Sequence, residues 1–250
     1  MDKRIYYVLR IADACLIHGQ RLGEWCGHAP IVEEDIALTN VALDHIGQAR
    51  ALLTLAGELE GRGRDEDALA FLRQEREYRN PTALELPNGD FARTVLRVFL
   101  WASFMKVLCT ALSTSTNAQL SAIAAKSLKE VRYHLRHARD WLVRLGDGTA
   151  ESQRRAQAAL DWLLPFTDEF WTASGHEAQA RDNATGVDVA ALRADWDALV
   201  NDAIAEATLT RPAAVQGYIS QGKQGLHSEH LGYVLAEMQS LARAHPGATW

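Results

Sequence analysis

Apolar residues recur every three or four positions along this chain, over stretches of roughly twenty residues and more, and strand-like alternation between turn signals is absent. A 3.6-residue period held for that long specifies helices with one buried face. Six prolines are spread over the 250 residues, and the reading lets none of them interrupt a long periodic segment. Helices are expected over about 5–24, 33–60, 91–112, 118–145, 151–173, 189–207 and 227–244. WCGHAP (Trp25 to Pro30) ends the first, with Gly27 and Pro30 as punctuation, and GDG stops the fourth. DALAFLRQE carries a short helix ahead of the loop Asn80 to Asp90, and SGHEAQARDNATGVD reads as loop. Two long helices, a longer connection and two more long helices give the layout of a ferritin-like four-helix bundle with additional helices, an all-α fold in one domain over 1–250.

Composition narrows the function classes. With 48% hydrophobic residues the chain is able to bury a sizeable core, and a net charge of −6 gives no reason to expect a nucleic-acid partner. No apolar run approaches the length that spans a bilayer. The opening segment MDKRIYYVLRIADACL does not read as a secretion signal, because Asp13 interrupts its apolar run. Cys15, Cys26 and Cys109 share no zinc or redox spacing and read as reduced, buried thiols, so the cytoplasm is the expected compartment.

The helix faces carry the chemistry. In the first helix Asp13 and Gln20 interrupt the stripe Ile5, Leu9, Ala12, Leu16. In the second, His45 lies in mid-stripe, with Gln48 at its edge beside Asp44. The third contains Lys106 within an apolar stripe. In the fourth, KEVRYHLRHARDWLVRLGDGT places His134 inside the stripe, with Glu130 and His137 flanking it. Buried polar groups cost free energy unless paired, so four such interruptions point to a shared polar centre. A di-iron carboxylate site builds that pattern from one Glu on each of two helices and Glu-x-x-His on the other two. The ligands here depart from it. The position three before His134 is Val131, which has no donor atom; His45 is followed at that spacing by Gln48; and the third helix offers Lys106 in place of a carboxylate. The set reads as a vestigial site without metal. His45 and His134 also fit as core histidines with hydrogen-bond partners, Lys106 as a snorkelling side chain, and Arg136, His137 and Arg139 as a solvated or subunit-facing surface.

QRLGEWCGHAP (20–30), ALDHIGQAR (42–50), AKSLKEVRYHLRHARDWLVRLGDGT (125–149) and GKQGLHSEHLGYVLAEMQ (222–239) resemble the C-subunit family of the bacterial ring-1,2-phenylacetyl-CoA epoxidases, and the resemblance covers essentially the whole chain. It implies a ferritin-like structural subunit without catalytic residues or a cofactor of its own. It implies a homologous catalytic A subunit that holds the di-iron centre and binds phenylacetyl-CoA, and a small bridging B subunit. It further implies a reductase component that supplies electrons from NADPH through FAD and an iron–sulfur cluster. On this family's pattern the two Glu-x-x-His motifs fall on His45 to Gln48 and Val131 to His134, and only His134 matches a ligand position.

Two other readings remain open from the residues themselves. One is a divergent ferritin-like metal-dependent oxidase or oxygenase using Asp44, His45, Glu130, His134 and His137. The other is a helical interaction module with no oxygenase partner. Seven tryptophans are many for this length, and Trp25, Trp101, Trp162, Trp171 and Trp196 are candidate core or interface anchors. GKQG (222–225) ahead of the last helix is a candidate phosphate contact, with Lys223 beside the helix amides reaching the nucleotide end of a coenzyme A substrate.

Overall fold

The computed structural model describes residues 4–173, 175–213 and 219–248. Its helices are α1 (Arg4–Gly23), α2 (Val32–Glu60), α3 (Glu66–Phe71), α4 (Phe91–Leu112), α5 (Ala118–Gly146), α6 (Ala150–Leu163), α7 (Asp168–Trp171), α8 (Gly175–Asp182), α9 (Arg193–Glu206) and α10 (Glu229–Ala244). Among the described residues there is no β-strand beyond one isolated bridge, Gln221 with Leu226. The fold class is the all-α one that the periodicity demands.

Local chemistry explains the helix limits. Gly61 closes α2 at φ +66°, a left-handed conformation that lets its N–H reach the Gly57 carbonyl at 3.0 Å. Asp90 caps α4 by accepting from the Arg93 N–H, Asn117 caps α5 by accepting from the Leu120 N–H, and Thr149 with Ser152 forms a capping box on α6. Two expected helices are interrupted. The segment 151–173 breaks because Pro165 has no N–H to give, and the chain passes through a 3₁₀ turn over Leu164–Thr167 into α7. The segment 189–207 starts as a 3₁₀ turn before α9. The stretch read as loop contains α8, and the last helix starts at Glu229 rather than His227.

Contacts divide the chain into two compact units, Met1–Pro87 with Ser220–Trp250, and Asn88–Ile219. In the first, α1 lies along α2. Cys15 meets Gln48, His18 meets His45, and Gly19 faces Ala42, so positions fall on one helix as they rise on the other and the pair runs antiparallel. Helix α10 packs against both α1 and α3. In the second unit α4 lies along α5, and α6 and α9 flank them. Trp101 and Phe104 stack at 5.3 Å, Phe104 meets Phe170 at 5.0 Å, and Trp171 meets Trp196 edge-on at 5.3 Å. The buried Trp196 indole donates to the Leu100 carbonyl at 3.1 Å, which ties α9 to α4. Trp101, Trp171 and Trp196 are therefore core anchors, while Trp25 and Trp162 are half-buried.

The expectation that no segment is long and apolar enough to span a bilayer needs correction. Helix α4 is, among the described residues, but 83% of its most apolar window is buried within the fold, as in a core helix.

Glycine spacing gives the first prediction. A Cβ on Gly146 would stand 2.0 Å from the Ala207 carbonyl, whereas one on Gly47, inside α2, meets nothing. In urea unfolding Gly146→Ala is expected to cost about 1–3 kcal/mol. Gly47→Ala is expected to stabilise by about 0.5–1 kcal/mol.

Candidate functional site

Five of the residues singled out on the helix stripes lie in the first unit. Asp13 has no exposed surface, and its carboxylate does not face a metal position. It accepts both Nη atoms of the buried Arg73, one at 3.0 Å and the other closer, and the Arg79 N–H at 2.9 Å. The guanidinium stacks on the Tyr78 ring at 4.3 Å and donates to the Glu77 carbonyl. From α10, Gln239 Nε2 donates to the Tyr78 hydroxyl at 2.7 Å and to the Arg73 carbonyl at 3.0 Å, and Arg243 donates to that same carbonyl. Burial pushes the Tyr78 phenol up to about 12, so it stays a neutral donor, and it gives its proton to the Ala70 carbonyl. One carboxylate thus ties α1 to the end of α3, and through Arg73 and Tyr78 to α10.

Of the remaining four, two face α1. The His45 ring stands 4.9 Å from that of His18. Gln48 turns its oxygen to the Cys15 thiol at 3.5 Å. Asp44 and Gln20 are half-buried. Within this unit Cys15, His18, His45 and Gln48 meet between α1 and α2, while Asp13 turns away to Arg73.

In the second unit Val131 and His134 are fully buried on α5, and Glu130 and His137 are half-buried beside them. Tyr133 stacks on His137 at 6.0 Å and meets His134 edge-on. Burial first, and the Glu130 carboxylate second, push the Cys109 thiol up to about 12. Lys106 extends to a surface cleft shared with α9. Among the described residues no group of three or more His, Cys, Asp or Glu stands close enough to hold a metal ion. The donor set does not fit a pair of irons. Asp13 is committed to an arginine, Gln48 to a thiol, and the Glu position before His134 is a valine.

The phosphate contact read at GKQG also needs correction. Lys223 is buried, and Gly222 and Gly225 are there for close approach. A Cβ on Gly222 would meet the Asn80 carbonyl at 2.5 Å, and one on Gly225 the Arg76 carbonyl at 2.5 Å. The Gln224 and Gly225 amides are taken by Gln221 and Gly222. The first turn of α10 is met by protein groups: Glu85 accepts the Ser228 N–H at 2.6 Å, and Ser228 Oγ accepts the His230 N–H. Glu85, fully buried, also accepts Asn80 Nδ2 at 2.8 Å and His227 Nδ1 at 2.7 Å. The other His227 nitrogen faces the Tyr78 carbonyl at 3.1 Å, so the ring is held between two protein oxygens. Sequence reasoning did not find Arg73, Tyr78, Glu85, His227 or Gln239 in these roles. The half that was visible was Asp13, a carboxylate on an apolar stripe that requires a buried cation somewhere.

The fold and these sites define an all-α, ferritin-like protein in which the buried Asp13, Gln48 and Glu85 are hydrogen-bonded within the chain. The chain belongs to the phenylacetic acid catabolic protein family, whose model matches residues 1–250. It is 48% identical, over 250 residues and the whole of both chains, to the C subunit of the 1,2-phenylacetyl-CoA epoxidase of Escherichia coli (strain K12).

Asp13→Ala strands Arg73 as a buried unpaired charge, and is expected to cost about 3–5 kcal/mol in urea unfolding. Native thiol titration at pH 8 should label the exposed Cys26 only, with Cys15 and Cys109 reacting after unfolding. The Cys109 thiol is raised in the fold from 9.0 to about 12, so its contribution is complete below pH 9 and is lost as pH rises toward 12. Cys109→Ala should flatten that alkaline decline in stability.

Proposed function

We propose that this chain is the structural, non-catalytic subunit of a multicomponent di-iron phenylacetyl-CoA ring 1,2-epoxidase in aerobic phenylacetate degradation. The observation that carries the reading is its full-length, 48% identity to the C subunit of such an epoxidase. The pairing of Asp13 with Arg73 and of Gln48 with Cys15, and the valine before His134, support the non-catalytic part. In this reading the chain, 1–250, acts as one domain in the cytoplasm. It scaffolds a homologous catalytic A subunit that holds the di-iron centre. A small B subunit bridges the assembly, and a reductase delivers electrons from NADPH through FAD and an iron–sulfur cluster. The exposed apolar residues Val32, Ile36 and Leu43 on α2 are candidates for the contact with the A subunit.

The test is purification of this chain alone and co-expressed with a di-iron catalytic subunit, with iron measured in both preparations after anaerobic ferrous loading. The expected result is a stable co-eluting complex, with iron far below one per chain in the chain alone. Close to two irons per chain, lost in His134→Ala, would overturn the reading in favour of a divergent metal-dependent oxidase using Asp44, His45, Glu130, His134 and His137. A stable monomer that ignores the catalytic subunit would favour a plain interaction module.

A further inference from the structure

The second unit carries a basic cleft. Arg132, Arg136 and Arg139 follow one another at spacings of four and three along α5, which puts all three on one face of the helix. Lys106 reaches the same cleft from α4. Its volume is ≈ 380 Å³, and Phe99, Leu135 and Leu199 form its apolar floor. Two carboxylates, Asp140 and Asp202, line it against the four cations. Asp202 is already engaged, because with Glu206 it holds Arg139 at 2.5 and 2.6 Å.

The other three cations are different. Among the described residues no carboxylate lies within ion-pair distance of Lys106, Arg132 or Arg136, although Arg136 also reaches over the Tyr133 ring at 5.9 Å. Elsewhere in this unit several arginines have carboxylate partners, and Arg93 and Arg144 lie over the Trp162 and Trp141 rings. Arg154 and Arg155 share Glu151, Arg193 bonds Asp168 and Arg211 bonds Asp197. In a chain of net charge −6, three cations without a carboxylate converging on one concavity is a concentration of positive potential that internal pairing does not explain. Guanidinium groups present forks that match phosphate oxygens two at a time, and the lysine adds a point charge.

A second cavity lies beside the first. Its volume is ≈ 560 Å³, and the two share Lys106, Leu199 and Asp202 as a common wall. Val107, Ala111, Leu192 and Ala198 make it largely apolar, with Thr110 and Asp195 at its edge. A cationic concavity beside an apolar one offers the two halves of a small-molecule site. The ligand with matching halves is a flat heteroaromatic base carrying phosphates.

We propose that these two adjacent cavities together bind a nucleoside diphosphate moiety, with its phosphates on Lys106, Arg132 and Arg136 and its base against Val107, Ala111 and Leu199. Two sources present that chemistry, a free nucleotide such as ADP and the phosphorylated ADP end of coenzyme A.

The full-length chain is titrated calorimetrically with ADP, coenzyme A, adenosine, pyrophosphate and a polyglutamate peptide. Saturable binding of ADP or coenzyme A is expected, at least about tenfold tighter than adenosine or pyrophosphate, since each half alone gives up the other's contacts. The double variant R132Q/R136Q should weaken nucleotide binding by at least about tenfold. Both side chains are exposed, so the variant is expected to keep its circular dichroism and thermal midpoint. Ala198→Phe, on the exposed wall of the apolar cavity, should weaken the nucleotide and leave pyrophosphate unchanged. Tighter binding of coenzyme A than of ADP assigns the site to a coenzyme A end, and equal or tighter ADP assigns it to a free nucleotide. The proposal is overturned if neither nucleotide binds, if R132Q/R136Q leaves the affinity unchanged, or if polyglutamate binds while the nucleotides do not. None of these outcomes depends on a catalytic partner, so they are independent of the co-purification result.

Discussion

Asp13 sits on the first helix with no exposed surface, and a buried carboxylate costs several kcal/mol unless a cation meets it in good geometry. Arg73 meets it with two donors, and the Arg79 N–H adds a third. The arginine then recruits its own surroundings: the Tyr78 ring below it, the Glu77 carbonyl beside it, and Gln239 and Arg243 of α10 on its backbone carbonyl. The order in which the elements come to α1 follows from that pair. Glu85 does the same for the start of α10, accepting the Ser228 N–H and facing His227 Nδ1, so two buried carboxylates hold the last described helix to a body more than a hundred positions away in sequence.

The same pairings decide what the chain is able to do chemically. A di-iron centre needs carboxylates free to bind cations. Here Asp13 has been spent on an arginine and Gln48 on a thiol, and Val131 offers nothing. A buried polar position in a helix stripe must bind something, and Asp13 and Gln48 bind neighbouring side chains. In the second unit the unsatisfied polarity lies on the outside, where Lys106, Arg132 and Arg136 surround a cleft.

Much of the fold was legible. The limits of α4 match the sequence reading at both ends, because Asp90 is an N-cap and the segment is predominantly apolar. The segment 151–173 was misread because its apolar period runs through Pro165, and period alone does not register a missing N–H. Helix α8 was missed because GHEAQARD has little apolar periodicity to announce it. Of the site, His134 and Val131 were placed correctly on the buried face of α5. GKQG was not, because its two open-looking glycines serve close backbone approaches to Asn80 and Arg76, which are visible only in three dimensions.

The sequence alone determined the all-α class, the two long helix pairs with the longer connection between them, and the absence of a Glu-x-x-His ligand pattern, since period, caps and residue type are local properties. Only the tertiary structure decided that Asp13 belongs to Arg73, that Glu85 belongs to His227, and that Lys106 joins three arginines of α5 at one cleft. The physical reason is that a charge specifies that it needs a partner, while the choice of partner is made by whichever helices the apolar stripes bring together.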